Sequence, residues 1–594
     1  MKPLQYTLNP TRLTGPIFDK ELRVASRRRR NYVLRTVYVL VLTFFLVFTW
    51  TAVLRYASYQ GPGRIAYLAQ ASQELAATIV WVQFVLTQLL AIVILANAIS
   101  DESAARTLGV LMTTPITSLQ IVLGKLLSRL LQLFLLVAVS LPLLAFLRVF
   151  GGIPWDYLVT SLAITTTAMI FNGLLSLYLS IYCKRPYVVI LLALAILAIL
   201  YLLLPLFTVA ILDQLDLMSS NLIPYLCLAN PWFNLQIRTM TMQAARFMPF
   251  AMSASCLWHC AIMLGASAVL FVLSVRAVRR AALRQIGGDS TPAPTPTIAP
   301  VIPPASAAAN PATQSAPRQH VRTHRRIHGC PVLWRELRSP FLRSRRAAWI
   351  VSIIAALLLF GSYLALQNDL NDDDVHMVYA CVFLALGAIV TAVLPAAAIT
   401  SEKEARSWPI LLATPLTTRN IIHAKWLGAI RRCLPVWIPF AGHLIFFAVV
   451  GYVHPITFIL IPLIVAGMTC FLTGTGLYFS ARFKKTTTAV IANLLLTFGL
   501  WLFSIPIVAL IAITLRDDDV IEPLANLHPF VQAAVVMDAA AGHNTNLRFH
   551  WPDPIDTVGP IGTIIAIAFI AALYATLGLF AAWRAQVRLR KDIF

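Results

Sequence analysis

The chain has 594 residues, of which 59% are hydrophobic and only 12% are charged, and its formal net charge is +23. Soluble globular chains carry about 25% charged residues, so this composition excludes a soluble enzyme or binding domain and indicates a polytopic membrane protein, as does the mean hydropathy of +0.77. Membrane topology explains the positive charge better than nucleic-acid binding does, and the scattered cysteines form neither a disulfide framework nor a zinc pattern.

A short amphipathic, basic segment comes first in the chain and occurs twice. It spans residues 15–30 and returns at residues 330–346, with a proline and a Glu-Leu-Arg triplet in register. Each copy leads into an apolar run, which suits a helix lying in the membrane interface. The N-terminus lacks a cleavage site, so the first span is expected to be a retained anchor. The arginines are either a positive flank beside a span or part of a docking element; its candidate residues are Glu21, Arg23, Glu336 and Arg338.

Twelve apolar runs are long enough to cross a bilayer, which takes about 20 residues. We predict spans at residues 33–54, 77–99, 126–146, 157–182, 188–212 and 251–275, and at 347–366, 377–399, 434–452, 456–479, 488–515 and 559–583. Between them, residues 287–317 are rich in Pro, Ala and Thr and are typical of a flexible linker. The predicted fold is therefore all-α, with one six-span domain at 1–286, the linker at 287–317 and a second six-span domain at 318–594.

The placement of basic residues predicts the orientation. Six is an even number, so both halves enter the membrane from the same side and the repeats are parallel. About 40 of the 47 Lys and Arg residues fall on one side, here called the basic side, which the positive-inside rule makes cytoplasmic. Both termini and the linker are then cytosolic, and the long segments 213–249 and 516–558 face outward.

One polar segment on the basic side is repeated without a gap. Residues 99–125 match residues 399–425 at a shift of 300 positions, and internal repeats of this kind reveal architecture. The identical positions are Glu102 and Glu402, Ala105-Arg106 and Ala405-Arg406, Leu111 and Leu411, Thr114-Pro115 and Thr414-Pro415, Thr117 and Thr417, Ile121 and Ile421, and Lys125 and Lys425.

Local rules predict a conformation for this repeated segment. Glu402 precedes Arg406 by four residues, as Glu102 precedes Arg106, which is the favourable order for a helical ion pair. Thr-Pro predicts an N-cap at Thr114 and Thr414 with proline at the first helical position. Between them lies an apolar set, Leu108, Val110, Leu111 and Met112 in one copy and Trp408, Ile410, Leu411 and Leu412 in the other. The segment is either an ordinary inter-span hairpin or, because an exposed apolar cluster occurs twice, a docking surface.

Other polar residues have plainer explanations. Gln83, Gln88, Asn97, Asn172 and Asn493 lie within spans, where they form helix–helix hydrogen bonds or line a substrate path. His259 near two cysteines and the isolated His443 are expected to be packed side chains. His320, His324 and His328 stand at helical spacing before Cys330, but the surrounding arginines repel a cation, which favours a basic segment near anionic lipid over a metal site.

The order and repetition of these motifs resemble the permeases of ABC-2 type exporters. The repeated segment resembles the coupling loop after the second span of that family, and the amphipathic segment looks like its interface helix. The resemblance places a second coupling loop at the basic turns 183–186 and 482–486, with Lys184, Arg185, Lys484 and Lys485. Family permeases usually have six spans and pair, whereas this chain fuses two. The candidate coupling residues are Glu102, Arg106, Leu111, Thr114, Pro115, Glu402, Arg406, Leu411, Thr414 and Pro415.

The resemblance implies a permease subunit of an ATP-driven exporter in the bacterial inner membrane. The chain has no G-x-x-x-x-G-K-[S/T] motif, so ATP is expected on separate cytosolic P-loop ATPase subunits, with a further permease copy as another partner. Few acidic residues in the spans argue against ion coupling and favour an amphipathic or lipid-like cargo. Catalytic, cofactor and metal residues are not expected in the chain. The alternatives are a non-transporting regulator or scaffold for an ATPase, and an ATP-independent lipid scramblase or carrier.

Overall fold

The computed structural model describes most of both halves. The described residues are 10–27, 32–33, 35–44, 46–47, 64–100, 102, 114, 116–149, 152–183, 185–205, 208, 228–243, 250–286, 330–339, 345–367, 370–501, 504, 521–541, 548–551 and 557–589. The predicted linker and the histidines at positions 320, 324 and 328 lie outside them.

The first half is helical. Its helices are α1 (Pro10–Arg27), α2 (Arg64–Leu95), α3 (Ser118–Arg148), α4 (Trp155–Tyr182), α5 (Pro186–Ala198, continued by a π-helical turn, Ile199–Leu203), α6 (Pro231–Gln243) and α7 (Phe250–Ile286). A further helical stretch, Arg35–Phe44, lies within the first predicted span.

The second half repeats this order, and its described residues also include three short helices and a hairpin. Its elements are α8 (Pro331–Arg338), α9 (Arg345–Ala365), α10 (Asp373–Ala396), α11 (Thr400–Glu404), α12 (Trp408–Leu412), α13 (Thr418–Val450), α14 (Thr457–Arg482), α15 (Thr486–Trp501), α16 (Ile521–Asn526), α17 (Pro529–Ala541), β1 (Phe549–His550), β2 (Thr557–Val558) and α18 (Pro560–Arg588). The two strands pair antiparallel.

The predicted spans correspond to apolar helices. Within the described ranges, nine helices are long and apolar enough to cross a bilayer, and the three remaining predicted spans contain the shorter apolar stretches Arg35–Phe44, Ser352–Leu364 and Thr486–Trp501. The prediction of an all-α polytopic membrane protein is confirmed. The spans after the repeated segments begin earlier than predicted, at Ser118 and Thr418, because the polar start of each helix continues into the apolar run.

Three short helices lie in the long segments between the fifth and sixth spans, where none was predicted: α6 in the first half, and α16 and α17 in the second. Helices α6 and α17 each start with a proline, and Asn230, which precedes α6, accepts hydrogen bonds through Oδ1 from the N–H of Trp232 at 3.0 Å and of Phe233 at 3.4 Å. Proline is favoured in the first turn of a helix because its missing N–H has no intrahelical partner there. The Asn-Pro and His-Pro pairs in the two long outward segments therefore indicated where α6 and α17 begin.

The residues that precede α6 and α17 both contact the fifth span of their half, at equivalent positions. The Nδ2 of Asn230 donates to the carbonyl of Tyr201 at 2.6 Å, and Nε2 of His528 lies 2.5 Å from the carbonyl of Trp501. Tyr201 lies in the π-helical turn, where the regular backbone pattern is interrupted. The side chain before each helix thus binds a backbone carbonyl of the fifth span in both halves.

A shared core joins the halves. Each half has its own hydrophobic core, and a third cluster, here called the joining core, combines α2, α4, α5 and α7 with α10 and α15. This cluster uses equivalent positions, since Ile92, Val93 and Ala96 lie in it together with Ala392, Val393 and Ala396, and Val189 and Ile190 with Ala489 and Val490. Among the described residues, α2 and α5 of the first half thus meet the equivalent α10 and α15 of the second, and α9 also contacts the π-helical turn after α5.

Helices α14 and α18 pack against each other at backbone distance. A Cβ atom added at Gly474 would lie 1.9 Å from the carbonyl oxygen of Gly578, and one at Gly578 would lie 2.3 Å from the carbonyl oxygen of Cys470. Small residues at helix interfaces permit such close approach in membrane proteins. Glycine is required at these two positions by the neighbouring backbone rather than by its own dihedral angles.

Candidate functional site

The second copy of the repeated segment is described throughout and forms a compact corner. Helix α10 ends at Ala396, α11 and α12 follow, and α13 starts at Thr418. The hydroxyl of Thr417 accepts the N–H of Asn420 at 3.2 Å and so caps α13. Trp408 is buried with Ile399 and Ile421 in a small core that anchors α12.

The predicted N-caps at Thr114 and Thr414 are wrong. The hydroxyl of Thr414 donates to the carbonyl of Leu411 at 2.6 Å, so it satisfies the C-terminal end of α12 and leaves Pro415 in the following turn. The caps are three residues further on. Thr117 and Gln120 form a reciprocal capping box, with bonds of 3.3 and 3.0 Å, and the Thr-x-x-Gln pattern was visible in the sequence. Pro115 lies outside the described residues.

The predicted helical ion pair between Glu402 and Arg406 is also wrong. Helix α11 ends at Glu404, and Arg406 adopts a left-handed conformation with φ of 55°, so the two residues do not lie one turn apart on a helix. The carboxylate of Glu402 instead turns inward to Lys425. In the first half, Glu102 likewise pairs with Lys125, at 2.8 Å, whereas Arg106 lies outside the described residues.

A buried ion cluster stands at the centre of the corner. Lys425 is 2% exposed, and its Nζ donates to Oε1 of Glu402 at 2.6 Å, to Oε1 of Glu336 at 2.7 Å and to the carbonyl of Ala398 at 3.2 Å. Arg335 adds bonds to Glu402 at 2.5 Å and to Glu336 at 3.2 Å, and Arg432 adds one to Glu336 at 3.2 Å. Buried charges persist only when paired and hydrogen-bonded, and here two carboxylates are matched by three cations.

The ion cluster joins three segments that are distant in the chain. Glu336 lies on the amphipathic helix α8, Glu402 on α11, and Lys425 on α13. Helix α8 approaches α13 so closely that a Cβ atom at Gly428 would lie 2.6 Å from the Cβ of Glu336. The amphipathic helix and the repeated segment, predicted as separate elements, therefore form one unit.

The first half pairs the equivalent glutamates with basic residues of α3. Lys125 bonds Glu102 and, at 2.6 Å, the carbonyl of Ala98, while Glu21 of α1 pairs with Arg129 at 3.3 Å. The repeated lysine was noted as an identical position but was given no partner, because its partners come from residues far away in the chain. Within the two Glu-Leu-Arg triplets only the glutamates join the network, since Arg23 is exposed and Arg338 lies over the ring of Trp334 at 4.3 Å.

The remaining candidate residues lie at the surface of the same end. Arg185, Lys484 and Lys485 are exposed in the basic turns, and Arg185 donates to the hydroxyl of Tyr187 at 3.0 Å. In α12 the expected exposed apolar set is reduced, because Trp408 is buried and Leu411 is half-buried, while Ile410 is 71% exposed. Pro415 is exposed. Leu111 and Lys184 lie outside the described residues.

Three of the polar residues in the spans, Gln88, Asn172 and Asn493, form hydrogen bonds to neighbouring helices. Asn172 donates to Oε1 of Gln88 at 2.7 Å and accepts from the hydroxyl of Tyr201 at 3.2 Å. Asn493 of α15 donates to the carbonyl of Ala392 in α10 at 2.8 Å. Such bonds between helices favour the structural interpretation of these residues. Among the residues that the structure describes, no group of three or more His, Cys, Asp or Glu could hold a metal ion.

Burial and charge act in opposite directions on Glu336. Burial alone would raise the pKa of its carboxyl group, but the nearby charges of Lys425, Arg432 and Arg335 outweigh burial and hold this pKa below its usual value. The stabilisation is therefore complete above the unfolded-state pKa of about 4.3 and is lost as the pH falls through the lower folded-state pKa.

The lowered pKa of Glu336 predicts that this residue stabilises the fold more at neutral pH than at acidic pH. We expect wild type to exceed Glu336→Gln in unfolding midpoint at neutral pH, and the difference to shrink as the pH falls from about 5 towards about 3. The measurement is thermal unfolding in detergent, with the exposed Glu74→Gln as the control whose difference stays small. A difference between wild type and Glu336→Gln that is the same at every pH contradicts this electrostatic account.

Comparison with known proteins agrees with this architecture. A sequence profile of the family described as ABC-2 family transporter protein matches residues 16–280 and again residues 330–571. A search of curated proteins gives no significant match. The two matches cover most of the chain and fall one in each half, which agrees with the internal repeat and with the resemblance of the motifs. The chain belongs to the ABC-2 family of transporter proteins, as a tandem repeat of its membrane unit.

Proposed function

We propose that the chain is the membrane-spanning permease subunit of an ATP-driven exporter, in which separate cytosolic P-loop ATPase subunits supply the energy. The observation that carries the proposal is the corner formed by α8, α11, α12 and the start of α13. Ile410 is exposed on this corner. The buried ion cluster binds the corner to the long helix α13 through Lys425. A surface that is exposed and also firmly connected to spans suits the transfer of mechanical work.

The path of that work follows the packing. A force on α12 reaches α10 and α13 through Trp408, which packs with Ile399 and Ile421, and reaches α8 through Lys425 and Glu336. Movement of the halves against each other would then open a path to alternate sides, which is the general logic of transporters built from repeats. The paucity of acidic residues in the spans supports an amphipathic or lipid-like cargo.

The proposal includes an orientation and a location. The basic side faces the cytosol by the positive-inside rule, so both termini and the corner are cytosolic, in a bacterial inner membrane. The membrane domains are 1–286 and 318–594, and 287–317 connects them. The basic turns with Lys184, Arg185, Lys484 and Lys485 form a second docking area, and this chain contributes no catalytic residue of its own.

A charge placed on α12 should weaken capture of the ATPase. We expect Ile410→Asp to reduce the amount of P-loop ATPase that co-purifies with the tagged chain by about tenfold or more, because exposed apolar anchors contribute strongly at interfaces. The measurement is quantitative mass spectrometry of the purified complex from native membranes. Val149→Asp is the matched control, since Val149 is 80% exposed and follows α3 at the far end of that helix.

Two results separate this proposal from its alternatives. Equal ATPase recovery with Ile410→Asp and Val149→Asp contradicts docking at α12. Transport of lipid by the purified chain in liposomes without any ATPase contradicts the ATP-driven mechanism and supports a scramblase or carrier. ATP-dependent transport only in the presence of the co-purified ATPase supports the exporter over a non-transporting scaffold.

A further inference from the structure

Two adjacent residues of opposite charge connect the repeated segment to the basic turn in the second half. Lys403 donates through Nζ to three carbonyls at the end of α14, those of Ser480 at 3.3 Å, Ala481 at 2.5 Å and Phe483 at 3.2 Å. The carboxylate of Glu404 accepts the N–H of Thr486 at 2.8 Å and its hydroxyl at 2.7 Å. We call Lys403 and Glu404, with these bonds, the charged link.

Each charge of the link fits the helix end that it meets. The last carbonyls of a helix have no intrahelical partner and carry partial negative charge, so the ammonium of Lys403 is suited to the end of α14. The first N–H groups carry partial positive charge, and Thr486 is the first residue of α15. The link therefore holds the end of one span and the start of the next through charge-assisted bonds.

The first half lacks the chemistry of the charged link. At the shift of 300 positions, Lys403 and Glu404 correspond to Ser103 and Ala104, and Thr486 corresponds to Pro186. Alanine has no acceptor in its side chain, and proline has neither an N–H nor a hydroxyl to donate. Pro186 is at the start of α5, where a missing N–H needs no partner. The first half therefore has neither the carboxylate of Glu404 nor the N–H and hydroxyl of Thr486 that this carboxylate binds.

We infer that Lys403 and Glu404 are positioning residues that make the repeated segment and the basic turn of the second half move as one body, and that the first half lacks this connection. In terms of the proposed function, on which this step rests, the two ATPase docking areas are mechanically unequal. A displacement of α12 is passed directly to α14 and α15, whereas the first half has no carboxylate or ammonium at positions 103 and 104 to pass it on in the same way.

Hydrogen exchange of the full-length chain tests the link without any ATPase. We expect Lys403→Ser with Glu404→Ala, which copies the first half, to speed exchange of the Thr486 N–H by about tenfold or more, because hydrogen bonds to charged groups are among the stronger ones. Glu404→Gln keeps the size and shape of the side chain and should give a smaller increase. Arg419→Ala is the control, since Arg419 is exposed on α13 and takes no part in the link, and unchanged exchange in α18 shows that the fold is intact.

A second experiment introduces the residues of the second half into the first. We expect Ser103→Lys with Ala104→Glu and Pro186→Thr to show slower exchange of the new N–H at position 186 than Pro186→Thr alone, because only the triple variant supplies a carboxylate that can accept this N–H. Equal exchange of the Thr486 N–H in wild type and in the Lys403→Ser, Glu404→Ala variant overturns the inference. Unchanged exchange at the start of α5 when the residues of the second half are introduced into the first, relative to Pro186→Thr alone, also overturns it. If the exchange results hold while no ATPase co-purifies, the link stands and the proposed function falls, so the two failures are distinguishable.

Discussion

Replacement of Lys425 by methionine should unfold the second half's corner more severely than any single charge change in the first half. Lys425 is the most buried member of the ion cluster, and its removal leaves Glu336 and Glu402 facing each other behind it. Removing one partner of a buried ion pair costs about 3–5 kcal/mol, because the remaining charge stays buried. We expect Lys425→Met to lower the free energy of unfolding by about 3 kcal/mol or more.

Arg335 cannot take over the role of Lys425. Its side chain is 56% exposed, so its charge is partly screened by solvent, and Arg432 reaches only Glu336 among the cluster's carboxylates. The matched control is Lys125→Met, for which we expect a smaller loss because its partner Glu102 is 25% exposed and can turn towards water. Unfolding by SDS titration in mixed micelles measures both variants.

A second substitution should recover part of the loss. Glu402→Gln in the Lys425→Met background removes one of the two carboxylates that lost their bond to Lys425 and leaves Arg335 to Glu336, so we expect the double variant to be more stable than Lys425→Met alone. If Lys425→Met and Lys125→Met are equally stable and both resemble wild type, the cluster is not what holds the corner together.

Alanine at Gly474 should separate α14 from α18. The added Cβ would lie 1.9 Å from a backbone carbonyl oxygen of Gly578, and backbone cannot rotate away as a side chain can, so the helices must shift along much of their length. Overpacking typically costs 1–3 kcal/mol and sometimes more, and we expect Gly474→Ala to fall at about 3 kcal/mol. The same unfolding titration measures the loss.

Gly442 supplies the control for this substitution. It lies within α13, and a Cβ atom there would have no neighbour within 4 Å. Gly442→Ala should therefore leave stability unchanged or raise it by up to about 1 kcal/mol, because alanine is the better helix former. A loss of stability with Gly442→Ala as large as with Gly474→Ala would mean that close packing of α14 and α18 is not the cause.

The architecture was largely predictable from the sequence because it depends on local apolar patterns and on a repeat. Runs of apolar residues indicate helices wherever they occur, and the shift of 300 positions aligned Lys125 with Lys425 before any contact was known. The bonding of these lysines was not predictable. Lys425 and Glu336 are 89 residues apart in the chain, and no spacing rule relates residues at that separation.

The errors in the repeated segment came from competition between local rules. Thr414 precedes a proline, a pattern typical of a helix N-cap, but its hydroxyl donates to the carbonyl of Leu411 at the end of α12 instead. Glu402 and Arg406 matched a helical pair, but the helix stopped between them. Helix α17 was not predicted, because its apolar stretch is too short for a span. In each case tertiary context decided between two locally reasonable structures.

The joining core has a consequence for how such a protein evolves. The surface through which α2 and α5 meet α10 and α15 is already occupied within one polypeptide, so a second molecule cannot use it. Two copies of a separate permease would have to remain identical at every position of a self-complementary contact. A fused gene is free of that constraint, because each partner is always supplied with the other in equal number. Once the pairing is secured covalently, one copy can acquire Lys403 and Glu404 while its twin keeps Ser103, Ala104 and Pro186, and the two motor sites can diverge independently.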